Sequence, residues 1–465
     1  MPRPLPARLV SWSAILAAAL LARAGQAQDT AAVDAKPKAP VEGGALVFDG
    51  VMPQAPEGFV ALFDGRTLNG WHGLANTIDI RKVAAMPEAE RAKTIAEWTA
   101  DAHQHWKAEG GILINDGEGK YLATDKDYGD VHLALDYRTV AKADSGVYLR
   151  GSPQVQIWDY TKEGGKHPLG ADKGSGGLWN NSAGAPGKDP IAFADKPFGQ
   201  WNHLDVVQVG ARTTVRLNGV LVVDHATMEN YFDRKLPLFA RGPIVLQTHG
   251  GAIEWKNLVA RELTADEANQ VLAAHGAAGF APIFDGKSLD GWGGPVENYE
   301  IVGGVLRCKA GQGGTIFHKK ELGDFVARVE FRLPPGGNNG LAIRYPGSGD
   351  TAYQGMCELQ VLDDTDPKYG KLDPRQYHGS AYGIAPAVRG YLRPVGEWNF
   401  QEVTVRGPRI KVELNGSVIL DADVSQVHDF MANSPHPGLT RTTGYFGFAG
   451  HNDPVEFRDV QVKPL

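Results

Sequence analysis

The chain has 465 residues, 42% hydrophobic and 22% charged, with a formal net charge of −7. That length exceeds what one hydrophobic core holds and suits two domains of ordinary globular composition. The negative balance, with no long block of like charge, speaks against nucleic acid or an anionic membrane surface as the main partner.

Residues 1–27 carry the pattern of a cleavable export signal. Arg3 and Arg8 precede a short apolar run from Trp12 to Ala22, and Gly25 and Ala27 supply small residues for cleavage. The apolar run is too short to cross a bilayer comfortably, and no later stretch is long enough, so the pattern predicts a periplasmic or secreted product without a membrane span. Residues 28–57, rich in Ala, Pro, Gly and Lys, read as a flexible linker.

From there the chain repeats itself. FVALFDGRTLNGWHG from Phe59 returns as FAPIFDGKSLDGWGG from Phe280, and DSGVYLR from Asp144 returns as NNGLAIR from Asn338. QVQIWD from Gln154 pairs with ELQVLD from Glu358, and WNHLDVVQVG from Trp201 pairs with WNFQEVTVRG from Trp398. These matches, with others in the same order, divide the chain into a first domain over 58–263, a helical linker over 264–278 and a second domain over 279–465. Within each copy apolar residues alternate, as in Val131, Leu133, Leu135 and Tyr137, which predicts strands with one buried and one exposed face. Asn218-Gly219 and Asn415-Gly416 each sit between β-rich runs and predict hairpins. Many short strands without alternating helices predict an all-β fold, two jelly-roll sandwiches in tandem. Helices are expected only at Pro87–Lys107 and at Thr264–His275, where Thr264 and Glu267 form a capping-box pattern. With only Cys308 and Cys357 there is no disulfide framework, and one bridge or two free thiols both fit.

The polar positions of QVQIWD and ELQVLD suggest a ligand-facing strand. Alternation places Gln154 with Gln156, and Glu358 with Gln360; Asp159 and Asp363 join them if a bulge intervenes. This spacing resembles the acid-rich strand of laminarinase-type glucanases. Direct glycoside hydrolysis uses two carboxyl groups, however, and glutamine cannot shuttle a proton. The first copy has one acid there and the second has two, so conventional hydrolysis stays open for the second domain alone. His249 and His451 occupy matching places before the final strand and suit general-base or metal-ligand duty. Arg150 and Arg344 also match, each at a strand end, where they could bind substrate oxygens or pair with a carboxylate. Trp158 and Trp179 could stack on sugar rings or fill a core. No dinucleotide fingerprint, nucleophile elbow or zinc-ligand spacing is present.

The motifs of the first copy, above all ADSGVYLRGSPQVQIWD, ADKGSGGLWNNSAGAPGKDP and LQTHGG, strongly resemble the 3-keto-glucoside 1,2-lyase/3-keto-2-hydroxy-glucal hydratase family, also called the 3-keto-disaccharide hydrolase domain. The second copy is a looser match through FDGKSLDGW, NNGLAIR, ELQVLD and GHNDPVEFRDV. The resemblance implies a concanavalin A-like lectin/glucanase sandwich. It also implies cleavage of 3-keto-glycosides by base-catalysed 1,2-elimination and hydration, after a separate nicotinamide-dependent oxidoreductase has made the ketone. On that reading His249 or Asp159 is the base in the first copy, with Arg150, Gln154, Gln156, Trp158, Trp179 and Gln247 around the substrate. In the second copy Glu358 or His451 is the base, with Arg344, Gln360, Asp363 and Arg458 around it. A divalent metal held by histidine and carboxylate is an alternative enolate stabiliser, its ligands undefined. A lectin-like protein without catalysis is the rival reading, since this sandwich serves both.

Overall fold

The structure, a computed structural model, describes Gly50 and residues 54–465. The expected export signal and nearly all of the expected linker lie outside the described residues. Those described build two sandwiches, each an eight-stranded antiparallel sheet facing a five-stranded one. In the first copy the five-stranded sheet runs, edge to edge, Trp71–Leu74, Tyr121–Tyr128, Gly242–Leu246, Asp144–Leu149 and Ser152–Trp158. In the second the order is the same: Trp292–Gly293, Gly313–His318, Tyr445–His451, Asn338–Tyr345 and Cys357–Leu362. Leu133, Leu135, Val147, Val155, Ile157 and Trp255 fill the space between the sheets of copy one. Phe325, Phe331, Phe446, Phe448 and Phe457 do so in copy two.

The repeated motifs are mostly devices that hold turns. Asp64 and Asp285 of the FDG sequences each accept backbone N–H groups two and three residues on. Trp71 and Trp292 then donate their indole N–H to the carbonyls of Leu62 and Ile283. Asn218 and Asn415 take positive φ, 53° and 48°, and each is followed by a glycine with φ near 80°, as the tight hairpin turn requires. Their side-chain amides donate to Asn202 and Asn399, which explains the paired WN sequences.

Two expectations need correction. The face opposite Leu133 and Leu135 is not solvated: His132, Ala134 and Asp136 are buried too. Phe59 packs on His132, His132 pairs with Asp205 at 2.8 Å, and Asp136 accepts from Asn257 and His203, so polar partners and added chain cover the strand. The insertion helix spans Glu88–His105, ending before Trp106, which turns extended and buries its indole in the first core. The linker helix Ala265–Ala274 has both capping-box bonds and packs Ala268 and Leu272 between Val209 of one copy and Phe400 of the other. Arg212 pairs with Glu413, and Arg393 with Asp130, so ion pairs also join the copies. Cys308 and Cys357 are buried free thiols.

Candidate active sites on the two five-stranded sheets

Each five-stranded sheet carries a cavity on its face away from the core, about 270 Å³ in the first copy and about 400 Å³ in the second. Parity on Ser152–Trp158 sends Val155 and Ile157 into the core and Gln154, Gln156 and Trp158 into the cavity. On Cys357–Leu362 it sends Glu358, Gln360 and Leu362 outward in the same way. Neighbouring glycines make room. A Cβ on Gly340 would lie 2.1 Å from Glu358 Oε1, and one on Gly146 would lie 3.2 Å from the Gln154 side chain.

In copy one, His249 Nδ1 stands 3.1 Å from Asp144 Oδ2. Gln156 donates to the other Asp144 oxygen at 2.8 Å, Gln154 donates to Gln156, and the Lys166 ammonium pairs with Asp144. Gln247 lies behind, its amide within 3.3 Å of the Tyr121 hydroxyl and 3.5 Å of the Tyr148 hydroxyl. Burial pushes the Tyr148 phenol well up, so it stays a neutral donor. Trp158 and Trp179 meet edge to face at 6.0 Å and line one wall; Lys188 lies over the Trp179 ring.

In copy two, His451 Nε2 stands 3.1 Å from Glu358 Oε1. The hydrogen bond that the imidazole donates to Glu358 raises its pKa above the ordinary value; burial opposes this, and the charges of Glu358, Asp350 and Asp453 add to it. Gln360 donates to Asn338 Oδ1 at 2.6 Å, and Asn338 occupies the place of Asp144. Three positions are hollowed out: Tyr121, Tyr148 and Gln247 of copy one correspond to Thr315, Ala342 and Ala449. The short helix Thr351–Gln354 partly refills that space, Thr351 bonding Thr315 at 2.5 Å, and brings Asp350 and Tyr353 into the wall. Tyr369 and Tyr382 complete an aromatic lining.

The structure thus gathers Gln154, Gln156, Trp158, Trp179, Gln247 and His249 in one cavity, and Glu358, Gln360 and His451 in the other. Five expected site residues are placed elsewhere. Asp159 and Asp363 lie one residue past strands that run without a bulge at that end, so they turn away from the cavity. Asp159 instead accepts from Lys142 N–H, Thr161 N–H and the Thr161 hydroxyl, and Asp363 from Gly336 N–H, Thr365 N–H and the Thr365 hydroxyl. Arg150 and Arg344 are buried at positive φ, pairing with Asp130 and Asp324 and donating to backbone carbonyls. Arg458 is on the eight-stranded sheet, bound to Glu330 and Asp266 across the Trp398 ring. Asp144 and Lys166 are the residues sequence reasoning missed. Asp144 was visible as the first residue of DSGVYLR, whose alternation places it on the face of Gly146 and Tyr148.

Among the described residues no group of three or more His, Cys, Asp or Glu side chains is placed to hold a metal ion. The histidine–carboxylate pairs alone therefore do not make a metal centre.

Fold and cavities define a tandem jelly-roll protein with a histidine–carboxylate pair in the cavity on each smaller sheet. Residues 58–261 and 279–463 both match the family described as 3-keto-alpha-glucoside-1,2-lyase-like domain, and the chain belongs to that family, with two copies of its domain. A protein of Bacteroides thetaiotaomicron named 3-keto-disaccharide hydrolase is 26% identical over 247 residues, spanning 44% of this chain and 85% of that one. A solved structure from Parabacteroides distasonis, provisionally described as a glycosyl hydrolase, is 27% identical; the match covers 40% of this chain and 99% of that one, with a TM-score of 0.37. Among the described residues no helix is long and apolar enough to cross a membrane.

Proposed function

We propose that the protein cleaves 3-keto-glycosides, with net hydrolysis of a 3-keto-disaccharide, and that the first copy carries out the chemistry by 1,2-elimination followed by hydration. The family and the name of the Bacteroides relative support the substrate class. The observation that carries the reaction type is the His249–Asp144 pair beside Lys166 in a cavity lined by amides and tryptophans.

A ketone at C3 acidifies the hydrogen on C2. His249, oriented through Nδ1 by Asp144, has Nε2 left to take that proton. Electrons move to the C3 oxygen as an enolate, whose charge the Lys166 ammonium offsets. The enolate then collapses, the bond from C1 to the aglycone oxygen breaks, and the proton held by His249 passes to the leaving oxygen. Water adding at C1, with a proton returned to C2, completes net hydrolysis. One base and one oxyanion partner suffice, so the scarcity of acids on Ser152–Trp158 is no obstacle.

The test compares a 3-keto-glucoside with the parent glucoside. Release of aglycone from the ketone alone, with exchange of the C2 hydrogen for solvent deuterium, is expected. Equal release from both overturns elimination in favour of direct hydrolysis. Binding of either without release overturns catalysis in favour of a lectin.

A further inference from the structure

The two cavities share a strand frame but differ in charge. In the first, Asp144 is neutralised by Lys166, and Lys188 covers the Trp179 ring. The second has Asp350 and Glu358 in its lining and, among the described residues, no lysine or arginine there, Lys368 lying behind the lining over the Tyr369 ring. Protonation of His451 removes one of those two negative charges and leaves the other. Glu358 is 4% exposed, yet His451 is the one hydrogen-bond partner of its carboxylate among the described residues, and only through Oε1. The Glu358 side chain lines the cavity. Asp350 spends one oxygen capping the short helix at Ala352 N–H, 3.0 Å, and leaves the other uncommitted. A largely buried carboxylate is only partly hydrated, and a cationic ligand is the group that complements it best. The walls add to this: Tyr353 and Tyr382 present aromatic rings, whose faces attract cations, while the Tyr369 ring already carries the Lys368 ammonium.

We infer that the second cavity is a binding site for a sugar bearing a basic nitrogen, an amino sugar or an aminated glycoside, held by Glu358 and Asp350 through its ammonium group. The inference rests on the sugar-site reading given above and deepens it. The two copies then select by charge: the second favours the cationic glycoside, to which the neutralised Asp144–Lys166 pair of the first offers no net attraction. The free cavity of about 400 Å³ has room for a ring larger than one unsubstituted hexose.

The experiment is calorimetric titration of the full chain at pH 7 and low salt with glucose and with its 2-amino-2-deoxy, 3-amino-3-deoxy and 6-amino-6-deoxy analogues. At least one amino sugar is expected to bind about 10- to 100-fold more tightly than glucose, with the advantage shrinking as salt is raised. The advantage should persist in Asp144→Asn and vanish in the double variant Asp350→Asn, Glu358→Gln. Should that double variant fail to fold, Asp350→Asn alone is expected to lose a large part of it. Amino sugars binding no better than glucose, or an advantage that survives these changes or high salt, overturns the inference. Turnover of a 3-keto-glucoside without amine preference sinks this inference alone. Amine preference without turnover leaves it standing and sinks the elimination.

Discussion

Asp144 and Glu358 stand at the same distance, 3.1 Å, from the equivalent histidines His249 and His451, but they reach them from different strands. Asp144 opens the strand Asp144–Leu149, whereas Glu358 is on Cys357–Leu362, the counterpart of the neighbouring strand. Where one copy has the acid, the other has an amide: Asn338 faces Asp144 in the repeat, and Gln154 faces Glu358. Gln156 and Gln360 are shared, and each donates to the first residue of the adjoining strand, Asp144 or Asn338. The pairing of histidine with one carboxylate is thus kept in both copies while the charge moves across the sheet. This makes the two cavities unequal partners for a charged ligand.

Asp144→Asn removes the charge that orients His249 and holds Lys166 while keeping the side chain's shape. Turnover of a 3-keto-glucoside should fall about 10²- to 10⁴-fold, mainly in kcat, because positioning of a general base is lost rather than substrate binding. The check is steady-state kinetics together with the melting temperature. A variant with unchanged kcat at unchanged stability would remove Asp144 from the reaction.

Asp159→Ala should do the reverse. Asp159 is 1% exposed and anchors the loop after Trp158 through three hydrogen bonds. Burial disfavours its charge, yet the bonds from Thr161 and Lys142 hold its pKa below the usual value, so the carboxylate is ionised and fully engaged. Its loss should cost about 2–4 kcal/mol in urea unfolding. Enzyme that remains folded should keep measurable turnover, which a catalytic base could not.

Why Asp159 reads into the site from the sequence, and Asp144 does not, is a matter of parity. Alternation along the strand is legible and correctly groups Gln154 with Gln156, but no residue says whether a bulge precedes Asp159, and none does. The repeat, the hairpin asparagines and the linker helix were legible because their geometry is local: Asn-Gly needs positive φ, and Thr264 with Glu267 caps its own helix. Arg150 and Arg344 were ambiguous because their carboxylate partners, Asp130 and Asp324, lie about 20 residues earlier and meet them only through the sheet. Lys166 arrives on a loop with no periodic signal at all.

Glu358→Gln should lower the pKa of His451. The native pair raises it above the ordinary 6.5, so the folded protein holds this proton more tightly than the unfolded chain does. The pair's contribution to stability is therefore fully present below about pH 6.5 and is lost as pH rises through the folded value. His451 is 45% exposed, so the effect on stability is modest, under about 1 kcal/mol. The sharper readout is the NMR titration of the His451 ring: it should titrate above 6.5 in the native chain and move down in the variant. A titration unmoved by the substitution would mean that the two side chains do not pair in solution.

Gly340→Ala tests how the second cavity is built. A Cβ at this position would fall 2.1 Å from Glu358 Oε1 and 2.4 Å from its Cγ and Cδ, inside any tolerable contact. The obstacle is a side chain rather than backbone, so the fold can survive by swinging Glu358 away from His451. The expected cost is about 1–3 kcal/mol of stability, from overpacking and from leaving a nearly buried carboxylate without its histidine. The His451 titration should then fall as it does in Glu358→Gln, although the carboxylate is still present. That combination separates position from charge. If Gly340→Ala leaves the His451 pKa raised, the glycine is not what makes room for the pair, and the close approach of the two strands must be relieved elsewhere.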